Sequence, residues 1–129
     1  MTLASIAEQV QGLTVLPDAD ELRMAFAVRD QLDARIALAV ADFDDGGGYE
    51  LDGALTTKSW LVAHAGRDPL SAKKAVDTGR KLKQLPVLRD AALTGAVSGG
   101  QLDIILAHVP KRHVRLFAAH SIKWRISSR

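Results

Sequence analysis

Residues 19–44 read ADELRMAFAVRDQLDARIALAVADFD and contain the longest helical pattern of the sequence. Six apolar residues in this stretch recur at intervals of three, four or six positions: Leu22, Phe26, Leu32, Ile36, Val40 and Phe43. This spacing is helical, because a half-buried strand would alternate at every second residue. Asp18, Asp20 and Glu21 stand at its start, where the helix dipole favours negative charge. The pattern predicts one long acidic helix over about residues 18–44.

A glycine-rich acidic segment follows, beginning Asp44-Asp45-Gly46-Gly47-Gly48. It is not a phosphate-binding loop, because no Lys-Ser or Lys-Thr follows it and no strand precedes it. Nor is it an EF-hand loop, since its acids do not alternate and no closing Glu completes the pattern. The composition predicts a flexible linker over residues 45–53.

Short, basic helices are predicted over residues 54–120. Each begins at a capping residue or a proline, and these starts are Thr56 or Thr57, Asp68-Pro69 or Ser71, Pro86, Ser98 and Pro110. No segment shows alternating polarity with β-branched enrichment. We therefore predict an all-α fold, a small bundle of one long acidic helix and about five shorter ones. It forms a single domain over residues 1–120, followed by an irregular basic tail at residues 121–129.

Composition excludes several classes of protein. With 129 residues the chain fits one domain, and the absence of cysteine excludes disulfides and thiolate metal sites. The amino terminus lacks the basic and apolar regions of a secretory signal. No apolar run approaches the roughly 20 residues of a membrane span. A cytoplasmic location without membrane association is expected.

Charge is divided unevenly along the chain. Residues 1–52 carry eleven acids against three arginines, a net of −8, whereas residues 53–129 carry fourteen Lys and Arg against four acids, a net of +10. A basic segment of this kind indicates an anionic partner, with nucleic acid first. Alternatively, the acidic front packs near the basic back and neutralises it. The sequence leaves both interpretations open.

The helix after Asp68 is the main candidate for nucleic-acid contact. Its small apolar positions form one stripe and are Ala72, Ala75, Val76, Gly79 and Leu82. Its cations form two neighbouring rows outside that stripe, Lys73 with Arg80 and Lys74 with Lys81, and Lys83 extends the basic patch. Because base-reading Asn and Gln are nearly absent, phosphate contact is expected rather than sequence readout. An ordinary solvated helix face is the alternative interpretation.

A second basic patch comprises Lys111, Arg112 and Arg115, for which an unstructured basic tail is the alternative. The four histidines, His64, His108, His113 and His120, have no zinc-ligand spacing. No Gly-x-Ser-x-Gly nucleophile elbow occurs either. The sequence predicts no catalytic residue, no metal site and no cofactor.

A family resemblance is carried by short motifs in a fixed order. The first motifs are Asp52-Gly53-Ala54 and Ser59-Trp60-Leu61, and a helix rich in Ala, Lys and Arg comes after them. This helix is followed by Leu85-Pro86 and then by Gly95 and Ser98. Together with the long acidic helix, this arrangement resembles the domain of unknown function 222 of the actinobacterial 13E12 repeat proteins. The resemblance extends to about His120.

In that family the helical region commonly precedes a C-terminal HNH nuclease domain, so the resemblance implies a non-catalytic, DNA-associated accessory domain. No ββα-metal motif occurs in this sequence, and no catalytic residue carries over. The chain ends near the point where family members continue, which predicts a truncated copy. The alternatives are a protein-interaction or dimerisation module that uses the long helix, and a non-functional fragment.

Overall fold

The computed structural model describes residues 1–109. Within that range there are six α-helices and no strand. The helices are α1 (Leu3–Gln11), α2 (Ala19–Asp45), α3 (Thr57–His64), α4 (Pro69–Gln84), α5 (Pro86–Thr94) and α6 (Gly99–Ala107), with a 3₁₀ helix at Gly48–Asp52. The predicted all-α bundle of one long and five shorter helices is confirmed.

Polar side chains cap the amino ends of five of these helices and explain where they begin. The capping residues are Thr2, Asp18, Thr56, Asp68 and Ser98. At Ser98 a capping box is present: its hydroxyl accepts from the amide of Gln101, whose side chain accepts from the amide of Ser98. Such caps satisfy helix amides that have no partner within the helix. The capping signals therefore gave reliable helix starts.

The long helix α2 has two contrasting halves. Its 27 residues extend about 40 Å at 1.5 Å per residue. All of its buried residues, Ala34, Ala37, Val40 and Ala41, lie in the second half. The first half therefore supplies no buried side chain, and the contribution of α2 to the core comes from its second half.

The glycine-rich segment predicted as a linker contains a short helix. Residues Gly48–Asp52 form a 3₁₀ helix bounded by Gly47 and Gly53, both at positive φ. Trp60 of α3 packs on Phe43 of α2 with ring centroids 4.7 Å apart, and its indole donates to Asp52 at 2.8 Å. These contacts hold the segment against α2 and α3, so packing overrides the tendency of the composition.

The crossing of α2 and α4 is unusually close and depends on Gly79. A Cβ built at this position would overlap the carbonyl oxygen of Ala37 and would lie 3.0 Å from the Cβ of Ala41. Only glycine lets the two backbones approach to this distance. The small-residue stripe of α4 is therefore its packing face, as the sequence predicts.

Two apolar clusters form the core. The larger joins α2 to α4, α5 and α6 and includes the fully buried side chains Leu82, Leu85 and Leu88. The smaller joins α2, α3 and α4 through Val40, Leu61, Ala72 and Val76. The core therefore lies along the second half of α2 and fixes which face of α4 remains outside.

The amino-terminal helix α1 takes no part in either cluster. It is capped at its carboxyl end by Gly12 and has no buried residue. Three predictions at the other end of the chain lie outside the described residues. They are the helix from Pro110, the basic patch Lys111, Arg112 and Arg115, and the tail at residues 121–129.

Candidate nucleic-acid and protein interaction surfaces

The five cations predicted to contact nucleic acid do not share one face of α4. Its packing face is formed by the buried residues Ala72, Val76, Gly79 and Leu82. Lys83 is seven residues after Val76 and so lies in line with that face, whereas the other four cations lie outside it. The structure thus places the predicted cations on one helix, but it does not leave them as one unpaired surface.

The acidic end of α2 neutralises two of these cations. Arg80 donates to Asp44 at 2.8 Å, and Lys83 donates to Asp42 at 2.7 Å and to Asp45 at 2.8 Å. The paired carboxylates raise the pKa of Lys83 above its ordinary value, Asp42 contributing most. Of the two interpretations of the charge asymmetry, neutralisation within the chain applies to Arg80 and Lys83.

Asp44 lies at the centre of this junction. The hydroxyl of Thr57, a residue only 2% exposed, donates to one of its carboxylate oxygens, and Arg80 donates to the other. The hydrogen bond from Thr57, followed by that from Arg80, holds the pKa of Asp44 below its usual value. The carboxylate therefore joins α2, α3 and α4 and is not an open cation site.

Two further cations of α4 turn towards α6. Lys74 pairs with Asp103 at 2.7 Å, and Lys81 donates to the carbonyl oxygen of Leu106 at 2.9 Å, near the carboxyl end of α6. Lys73 borders the same groove between α4 and α6 and has no hydrogen-bond or ion-pair partner within residues 1–109. Four of the five predicted phosphate contacts therefore have partners inside the protein.

The charge is divided unevenly between residues 1–109 and the rest of the chain. Residues 1–109 contain eleven Lys and Arg against fifteen Asp and Glu, a net of −4. The overall charge of +2 arises because residues 110–129 contribute six cations and no acid. The excess of cations therefore lies in residues 110–129.

Within residues 1–109, no group of three His, Cys, Asp or Glu side chains is placed to hold a metal ion. His64 stacks on Trp60 with ring centroids 5.7 Å apart, and the ring of His108 contacts the carbonyl oxygen of Ile104. Each of these histidine rings therefore contacts a neighbouring group of the protein. No helix in this part of the chain is sufficiently long and apolar to cross a bilayer.

Sequence reasoning did not single out an apolar surface on α2. We call it the outer row: Met24, Val28, Leu32 and Ile36, which are 62%, 56%, 39% and 48% exposed. Leu32 and Ile36 were part of the pattern that predicts the helix, yet the buried residues beside them are mostly alanines. The sequence does contain a sign of this row, since its apolar residues occur at every fourth position from Met24. Periodicity alone, however, does not distinguish an exposed helix face from a buried one.

No protein-family model, curated protein or solved structure matches this chain. The resemblance to the 13E12 repeat family therefore remains a prediction from the sequence motifs.

Proposed function

We propose that this chain is a non-catalytic helical interaction domain that associates with a second copy of itself through the outer row of α2. The observation that carries this proposal is the exposure of four large apolar side chains along one line of a helix. Large apolar groups aligned on a surface are typical of protein-binding sites, because burying them removes apolar area from water.

Charge favours a second copy as the occupant. Between residues 19 and 36, α2 carries four acids and three arginines, so the surface around the outer row is of mixed sign. A helix of mixed charge can pair with a copy of itself without net repulsion, whereas a polyanion gains little from it. The long helix therefore fits self-association better than nucleic-acid contact.

The proposal is tested by the mass of the full chain in sedimentation equilibrium over a range of concentrations. We expect a dimer at high concentration and a dissociation constant raised at least about tenfold by Leu32→Asp, because an unpaired carboxylate is costly to bury. Leu70→Asp is the matched control, since Leu70 is 81% exposed on α4, outside the row. A chain that stays monomeric, or a dimer insensitive to Leu32→Asp, contradicts the proposal.

A second candidate is the DNA-associated accessory function implied by the family resemblance. The observation in its favour is Lys73, which has no partner within residues 1–109, beside Lys74, whose pair with Asp103 is exposed. An exposed pair contributes only about 0–1 kcal/mol, so a phosphate can replace Asp103 at low cost. Contact would then be limited to the backbone of DNA.

This candidate is tested by the salt dependence of binding to a labelled duplex. Lys73→Ala with Lys74→Ala is expected to make the slope of log K against log salt shallower by about 1.8, at about 0.9 per phosphate contact. Asp42→Asn with Asp45→Asn releases Lys83 and is expected to steepen the slope by about 0.9. Absence of binding at low salt, or slopes that neither pair of changes alters, rejects the candidate.

A further inference from the structure

The outer row has a definite geometry as well as an apolar character. Its members are four residues apart, so they form one of the i±4 ridges that cross a helix surface obliquely. From Met24 to Ile36 the ridge extends about 18 Å. When two ridges of this class pack side by side, their helices cross at about −50°. A second copy of α2 presents a ridge of the same spacing and length.

Two unpaired charges near the ends of the row distinguish the possible orientations. Glu21 precedes Met24, and Arg35 precedes Ile36; neither has an ion-pair partner within residues 1–109. A parallel pair of helices would place Glu21 beside Glu21 of the second copy, and Arg35 beside Arg35. An antiparallel pair instead brings each Glu21 towards Arg35 of the second copy, twice by symmetry.

We infer that two copies of α2 pack antiparallel across the outer row, with Met24 of one copy beside Ile36 of the other. The inference rests on the proposed self-association and adds its orientation. An antiparallel arrangement also opposes the two helix dipoles, so the positive amino end of one helix lies nearer the negative carboxyl end of the other. The charges at the ends of the row and the helix dipoles thus favour the same antiparallel arrangement.

Cysteine cross-linking tests the orientation, because the chain contains no cysteine of its own. Two full-length variants, Met24→Cys and Ile36→Cys, are treated with a short bis-maleimide, each alone and as an equal mixture. We expect a shift to twice the chain mass on a denaturing gel for the mixture and not for either variant alone. Leu55→Cys, at an exposed position away from the row, is the control and is expected to stay at the mass of one chain.

Cross-linking of each single variant with itself overturns the antiparallel inference and leaves self-association intact. A chain that sediments as a dimer but yields no cross-link in the mixture also overturns it, by placing the interface elsewhere. A chain that sediments as a monomer rejects the inference and the proposed self-association together. Sedimentation alongside cross-linking therefore separates the two failures.

Discussion

The substitution Gly79→Ala is expected to destabilise the protein by about 1–3 kcal/mol, and Gly79→Val by more, because either adds atoms to a filled contact. The direction is informative, since glycine within a helix ordinarily lowers stability by about 0.5–1 kcal/mol relative to alanine. Here the new Cβ would meet the backbone of Ala37, which cannot move away as the end of a flexible side chain can. Urea unfolding followed by far-ultraviolet circular dichroism measures the effect.

Gly100→Ala provides the matched control. Gly100 also lies in a helix, but the nearest atom to its added Cβ is the hydroxyl of Ser98 at 4.0 Å, an ordinary contact. This change is expected to leave stability equal or raise it, by up to about 1 kcal/mol. If Gly79→Ala behaves in the same way, the close crossing of α2 and α4 is contradicted.

The same crossing brings two cations of α4 to the carboxylates of α2. Because Gly79 brings α4 against α2, the adjacent Arg80 reaches Asp44, and Lys83 reaches Asp42 and Asp45. Separating the helices would lengthen these ion pairs and expose the cations. The packing contact at Gly79 therefore helps to keep Arg80 and Lys83 from contacting phosphate.

Helix boundaries could be predicted because their causes are local in sequence. A cap such as Thr56 or Asp68 bonds to an amide three residues away, and Pro69 and Pro86 restrict the first turns of their own helices. The stripe of α4 was also visible, since its small residues recur at helical spacing. Information of this kind is contained in a few consecutive residues.

The candidate surfaces could not be predicted because they depend on contacts between distant residues. Lys83 is 41 residues from Asp42, and nothing in the spacing of either residue indicates that they meet. In α2, several large apolar residues are exposed while three of the four buried residues are alanines, so the hydrophobic pattern predicts the helix without its orientation. The glycine-rich segment likewise took its structure from Phe43 and Trp60.

Loss of the Asp44 side chain is the second large effect that we expect. Asp44→Ala leaves the buried hydroxyl of Thr57 without its acceptor and removes the partner of Arg80, so it is expected to cost about 1–3 kcal/mol of unfolding free energy. Asp45→Asn is the control, because Asp45 is exposed and shares Lys83 with Asp42; its effect is expected to stay within about 0.5 kcal/mol. Equal effects of the two changes in urea unfolding would contradict the role of Asp44.

Acid titration provides an independent test of the same junction. Because the pKa of Asp44 is lower in the folded chain than its ordinary value of 3.8, the unfolded chain binds the proton more readily. The contribution of Asp44 to stability is therefore complete above the unfolded pKa and is lost as the pH falls through the folded pKa. Asp44→Asn has no proton to bind at this position, so its stability should fall less than that of the unaltered chain below about pH 4. Parallel losses of stability in the two proteins on acidification would show that Asp44 does not titrate as this junction requires.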